Sequence, residues 1–530
     1  MKYKIIKKIM SKLPSVIMVA AILSISSCDK DVSDLQPFDR ITESLAFSSP
    51  SRIELSMVGV YDAIQSGTYA GGAVRGYPFG AANVEQGDMR GEDMLNVAAF
   101  YAITYEANYN TNTANNVWQW NTLYTAINKA NLIIEGVQAA ASNGILSEAD
   151  AAAYQGEARF IRALCHHELL IHFARPYKHT SDASHFGVPY RTTAINTASR
   201  LESEVQKGRN TVAECYTLML EDLNFAEQNL PLTRAGTKNI SRATKAASIA
   251  LKSRVLLHKG DWSGVITEGN KILNGQAGTY SLMSSPDGVF ANNSTNSESI
   301  FSVENSATDN SGVNGALPVM MSVSPGRALI AISPIMFNHP NWLQSDLRRT
   351  QLVSESGAGF FSNKYRKITT QDDWNPILRL AEVVLNNAEA YARTQNTTEG
   401  LNLLNTVRNR AVVDAADQFT SSSFADSKAL IDAILFERRI ELLGEGRRWP
   451  DIHRLSQDPN HSLNGIPAKV AFGNTTKASW AYGLNYTNGV YTGQLTINSK
   501  PYDDFRFLWP IPQDELNTNQ VLRDQQNPGY

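Results

Sequence analysis

Three cysteines in 530 residues leave no disulfide framework. Cys28 stands alone near the N-terminus. Cys165 and Cys215 fall in helical-looking segments, where a small apolar residue suits an interior. Charge of one sign is missing too: the formal net charge is −3, so no basic field gathers nucleic acid. Beyond residue 28 no run approaches about 18 continuous apolar residues, the length at which a spanning helix becomes a candidate. Catalytic signatures are equally scarce. There is no Gly-x-Ser-x-Gly elbow and no phosphate-binding glycine loop. The run His166-His167-Glu168-Leu169-Leu170-Ile171-His172 resembles a zinc helix only in composition. Such a site needs histidines at i and i+4, whereas His167 to His172 is a five-residue step, about 500° of turn, which splays the rings by roughly 140°. Acidic residues are too numerous for a glycosidase pair to be chosen without geometry. No catalytic residue and no metal ligand is assigned.

What is present begins at the N-terminus. Lys2, Lys4, Lys7, Lys8 and Lys12 form a basic region, Leu13 to Ile25 is a short apolar run, and Ile25-Ser26-Ser27-Cys28 reads as a lipobox. The expectation is a signal peptide over 1–27, lipidation of Cys28, and a polar tether over 28–50 carrying Asp29, Asp31 and Asp34. Several acyl chains on one residue hold a protein to a membrane where a single chain is marginal.

Residues 51–530 read as one mainly α body. Helical periodicity marks 51–66, 117–140, 147–174, 210–228, 241–258, 262–273, 376–395, 397–412 and 427–444. Two blocks rich in Gly, Asn, Ser and Thr, at about 67–116 and 274–372, read as long loops, the second holding strand-like pieces such as Ser299–Val303. Residues 446–530 read as irregular. Helix pairs at about 117–275 and 376–445 suggest tetratricopeptide-like hairpins that each bury a face on the next.

Five blocks, in order, carry a family resemblance: Gly156-Glu157-Ala158-Arg159-Phe160-Ile161-Arg162-Ala163; Thr244-Lys245-Ala246-Ala247 with Asp261-Trp262; Pro376-Ile377-Leu378-Arg379-Leu380-Ala381-Glu382 with Ala388-Glu389-Ala390; Phe436-Glu437-Arg438-Arg439-Ile440-Glu441-Leu442 with Glu445-Gly446-Arg447-Arg448-Trp449 and Asp451; and Trp509-Pro510-Ile511-Pro512 with Gln526-Asn527-Pro528-Gly529-Tyr530. Behind a lipobox, this set resembles the SusD/RagB family of outer-membrane nutrient-binding lipoproteins. Pro450 departs from the pattern, where an aromatic residue is commoner. The resemblance implies a SusD-like α-α superhelix with long loop insertions. It implies a surface protein lipid-anchored through Cys28 in the outer membrane, acting as lid to a SusC-like TonB-dependent transporter and delivering captured oligosaccharide or polysaccharide. A peptide or another nutrient as cargo is the alternative, and a surface glycoside hydrolase the less fitting one. No cofactor is implied, and whether a calcium ion props a loop is left open.

Read from the residues, Glu437 and Glu441 share a helix face. Glu437, Arg438, Glu441, Glu445 and Arg447 are read as a buried polar clamp. A neutral sugar offers apolar C–H faces and a rim of hydroxyls, so a binder needs an aromatic platform with polar side chains around it. Loop aromatics are the candidates: Trp342 first, with Phe337 beside it, then Phe100, Tyr101 and Tyr105, with Asp88 and Arg90 as rim partners. Trp374 and Trp480 stay unassigned.

Overall fold

The computed structural model describes residues 43–66, 72–357 and 359–530. Cys28, the segment 1–27 and most of the tether lie outside the described residues. Among the described residues no helix is long and apolar enough to cross a membrane.

The body is a chain of antiparallel helices: α1 (Pro50–Gln65), α2 (Ala81–Met89), α3 (Ala114–Ser142), α4 (Glu148–Phe173), α5 (Val212–Asn229), α6 (Lys245–Lys259), α7 (Trp262–Leu273), α8 (Leu380–Arg393), α9 (Thr397–Arg408), α10 (Ser427–Glu441) and α11 (Arg448–Leu455). Packing runs α1 on α3, α3 on α4, α4 on α5, α5 on α6, α6 on α7, α7 on α8, and α8 on both α9 and α10. Local chemistry sets the ends. Ser147 accepts from the Asp150 N–H. Thr211 and Glu214 form a capping box. Gly260, at φ 77°, turns α6 into α7, which Asp261 caps. At Gly269 an added Cβ would collide with the Asn387 amide, so α7 and α8 approach closely there. One continuous apolar core runs from Ile53 to Leu522.

Two expectations change. Residues 375–379 are not the first turn of a helix but strand β6 (Asn375–Arg379), antiparallel to β2 (Ser299–Val303). Both strands are wholly buried, and pairing with a segment some 75 residues upstream overrides the local helical pattern. Within the block read as loop, residues 81–89 form α2. Every one of its residues is buried, so it shows no amphipathic period to be seen in the sequence. The two loop blocks are joined by a two-stranded pair, β1 (Met94–Asn96) of the first with β3 (Ile330–Ile332) of the second, and the second also carries a hairpin, β4 (Val353–Ser356) with β5 (Gly359–Ser362). The C-terminal stretch holds α11, then wraps back. Trp509 N–H donates to His172 O at 2.9 Å, and Asn527 Nδ2 donates to Phe173 O and Trp509 O.

Candidate functional site

The loops on one side of the helical stack converge on a ledge of aromatic rings. Ser333 caps a single turn, Pro334–Phe337, with proline at its start. The chain then passes Asn338, wholly buried, whose side chain ties down a segment about 140 residues away. Its Nδ2 donates to Ser479 O and Leu484 O, and its Oδ1 accepts from Ala481 N–H. That tie sets Tyr482 on the surface. The Tyr482 hydroxyl donates to Pro340 O at 2.8 Å, and the residue is 39% exposed. The Arg349 guanidinium lies 4.4 Å from the Trp342 ring centroid, 4.7 Å from Phe337 and 5.7 Å from Tyr482. A ring held at its hydroxyl with a cation close by keeps its position before any ligand arrives.

The ledge extends both ways. The β4–β5 hairpin lays Phe360 on Phe337, centroids 4.1 Å apart and nearly parallel. His339 sits 4.1 Å from Phe436 and 4.8 Å from Tyr486. Burial, then the nearby Arg439 charge, push His339 down to about 3, so it packs as a neutral ring. Tyr486 pairs with Tyr491 across a two-residue turn, Asn488-Gly489, both at positive φ (50° and 77°), the geometry of a type I′ hairpin. Beyond Phe436 opens a cleft of about 280 Å³ lined by Asp432, Phe436, Arg439, Arg448, Asn460 and His461. Its two arginines are closed off: Arg439 bonds Glu92 and Asp93, and Arg448 bonds Glu92 with Asp93 at 3.3 Å. Apolar ring faces beside a rim of amide, hydroxyl and paired ions can hold a polyhydroxylated ligand.

The structure gathers Trp342, Tyr101 and Tyr105 into one buried cluster with Phe337 packed against it. Trp342, 1% exposed, is the floor of the ledge and not its surface, because Arg349 and Phe337 cover it. Tyr101 and Tyr105 are likewise interior; the Tyr105 hydroxyl donates to Val470 O at 2.7 Å. Phe100 is 38% exposed and packs edge-on against Tyr101. Asp88 and Arg90 are not rim partners. Asp88 is buried, where it accepts from Gly446 N–H at 3.0 Å and Arg448 N–H at 3.5 Å. Arg90 stacks 3.5 Å over Trp449 and donates to Phe507 O. Both fasten the C-terminal stretch to α2. Of the expected ligand residues, Phe337 alone is a half-buried part of the ledge. The sequence reading missed Tyr482, Phe360, Phe436, His339, Tyr486 and Tyr491. The Asn-Gly pair at 488–489 between tyrosines was a legible hairpin signal. Nothing local marks Tyr482.

The remaining site residues form a charged interior. Arg348 bonds Asp346, Glu437 (2.5 Å) and Glu441 (3.0 Å); Arg379 bonds Glu298, Glu441 and Glu445; Lys364 bonds Glu445; Arg410 reaches Glu298 and Glu441; Arg408 reaches Glu437. Five cations thus face five carboxylates. Arg438 bonds Asn386 and Asp451. Arg447 has its guanidinium lowered by burial, then by the neighbouring Arg254 charge. The three histidines of α4 face different partners: His166 stacks on Tyr190, His167 meets His258 edge-on, and His172 stacks on Trp509.

A second cleft, of about 310 Å³, lies beside α1, lined by Glu54, Tyr61, Asp62, Gln65, Lys238, Arg242, Glu304 and Asp309. Arg242 covers the Tyr61 ring, and the Tyr61 hydroxyl is bonded to Glu157, so this cleft offers charge and no open ring face.

Residues 46–257 match the family model described as starch-binding, associating with outer membrane, and residues 354–530 match that of the SusD family. SusD-like protein P2 of Formosa agariphila is 25% identical over 463 residues, 78% of this chain and 80% of that protein. A SusD superfamily protein from Bacteroides fragilis superposes with a TM-score of 0.74 at 27% identity, covering 90% of this chain and 99% of that one. Surface glycan-binding protein A from Bacteroides uniformis shares the fold with a TM-score of 0.67 at 19% identity, over 90% of this chain and 99% of its own.

Proposed function

The chain belongs to the SusD/RagB family, and from that premise we propose that it is a non-catalytic glycan-binding lipoprotein of the cell surface. It holds oligosaccharide on the ledge around Tyr482 and delivers it to a SusC-like TonB-dependent transporter, over which it sits as a lid. Cys28 is the lipid anchor, and the tether fixes position without fixing orientation. The observation that carries this reading is the exposed Tyr482 ring, held by Pro340 O with the Arg349 guanidinium close by. A pyranose buries its apolar C–H face on such a ring. The neutral packing of His339 and the closed ion pairs of Arg439 and Arg448 favour holding a ligand over cleaving it.

The test is migration through gels cast with a panel of polysaccharides, with the ligand recovered and sized afterwards. Retardation by at least one glycan, its loss in Tyr482→Ala, and ligand of unchanged length are expected. No retardation across the panel, or shortened ligand, contradicts the reading. Peptide cargo is the second reading, and the charged cleft beside Tyr61, lined by both acids and bases, is what favours it. Peptide binding abolished by Glu54→Gln but untouched by Tyr482→Ala would establish it.

A further inference from the structure

The cations around the ledge differ in one respect. Among the described residues lining the ledge and its cleft, Arg439 and Arg448 are neutralised by Glu92 and Asp93, and His461 sits against Asp432 and Asp458. Among the described residues no carboxylate is hydrogen-bonded or ion-paired to Arg349; the Asp346 charge acts on it only through space. Its Nε donates to Trp342 O (3.2 Å) and Leu343 O (2.9 Å), and its Nη2 donates to Phe337 O (2.7 Å) and Trp342 O (2.6 Å). Asp346, the nearest acid in sequence, is buried and bonded to Arg348 through both oxygens. Among the described residues nothing is hydrogen-bonded to the two N–H groups of Nη1. They are not sealed from solvent, and they belong to a residue that is half-buried among Trp342, Phe337 and Tyr482.

A guanidinium fixed by four carbonyl bonds, desolvated by rings, and left with one unpaired edge is a receptor for an anion. Its carbon stands 5.7 Å from the Tyr482 centroid, so an acceptor on Nη1 and a sugar face on Tyr482 fit within one residue of a chain. Asn341, exposed beside them, can bond a ring hydroxyl. We propose that the ledge selects an acidic glycan: a uronic acid whose ring stacks on Tyr482 and whose carboxylate takes the free edge of Arg349. This rests on the glycan-binding reading above and narrows it. A charge-assisted hydrogen bond of this kind makes the acidic sugar about ten- to a hundredfold tighter than its neutral counterpart. A sulfate ester offers the same charge but a tetrahedral oxygen array in place of the planar carboxylate.

The experiment uses the full chain and matched probes: oligogalacturonate, oligoglucuronate and oligomannuronate, each against its carboxyl-reduced form, with a sulfated neutral oligosaccharide as a third arm, titrated calorimetrically at low and high salt. At least tenfold preference for one carboxylate form is expected, eroded by salt. The preference should be lost in Arg349→Gln and partly kept in Arg349→Lys. Because Arg349 also holds the 337–343 loop, the comparison of matched ligands on the unaltered protein stands by itself. Equal affinity for acid and reduced forms, preference for the sulfated arm, or a preference surviving Arg349→Gln overturns the proposal. Neutral-glycan binding that Tyr482→Ala abolishes would then leave the broader reading intact, whereas no glycan binding at all removes both.

Discussion

Glu85 and its neighbours show how burial sets chemistry at a single residue. The side chain is wholly buried on α2. Burial pushes its carboxyl up to about 8, against the opposing influence of the Tyr101 hydroxyl and the Arg327 charge. The folded state thus keeps a proton that the unfolded chain releases near its ordinary value of 4.5. Stability is fully present below that value and falls as pH rises towards about 8. Glu85→Gln removes the titration, so its melting temperature is expected to gain on the parent between pH 5 and about pH 8, read by scanning calorimetry. A constant difference across that range would count against a neutral buried acid. The ledge teaches the complementary lesson. Trp342 and Phe337 sit in the loop that an aromatic search of the sequence selects. Which ring faces solvent, however, depends on Arg349, seven residues on, and on Tyr482, held by Asn338 across the fold. Asp88 and Arg90 look like rim residues in a loop-like sequence, yet they anchor the C-terminal stretch, because α2 is buried on every side.

Among elements, ends are more legible than pairings. Ser147, Thr211, Thr244, Asp261, Asn396 and Asp426 each accept a backbone N–H at the start of a helix, and each is a residue type that favours this position. β6 is not legible, since only its pairing with β2 distinguishes it from a first helical turn. The hairpin at Tyr486–Tyr491 depends on Gly489 at φ 77°. Gly489→Ala places a Cβ in the left-handed region at a cost of about 1–2 kcal/mol. The expected result is a local one: weaker glycan binding, with a melting shift of about 2 °C or less because the helical stack is untouched. A large melting shift with unchanged binding would mean that the hairpin supports the core instead of the ledge.

For the whole molecule, the helical stack supplies rigidity and the loops supply the surface. The repeat character, the order of helix pairs and the family are all readable from the sequence, because they rest on local period and on contiguous blocks. The charge network joining β6, α10 and the segments around Glu298, Arg348, Lys364 and Arg410 is less so, since it pairs residues up to 112 positions apart. Against the opposing effect of burial, Arg410, Arg379 and Arg348 hold the Glu441 carboxyl far below its ordinary range. Glu441→Gln leaves an uncompensated cation inside, and a loss of about 3–5 kcal/mol is expected by urea unfolding. A loss under about 1 kcal/mol would show that the network relaxes freely.

The account turns on where a ligand sits. A crystal structure with bound oligosaccharide decides it: a sugar ring lying about 4 Å over Tyr482, with a substituent on Arg349 Nη1, is the predicted result. A ligand in the cleft beside Tyr61, with the Tyr482 ring bare, would contradict it.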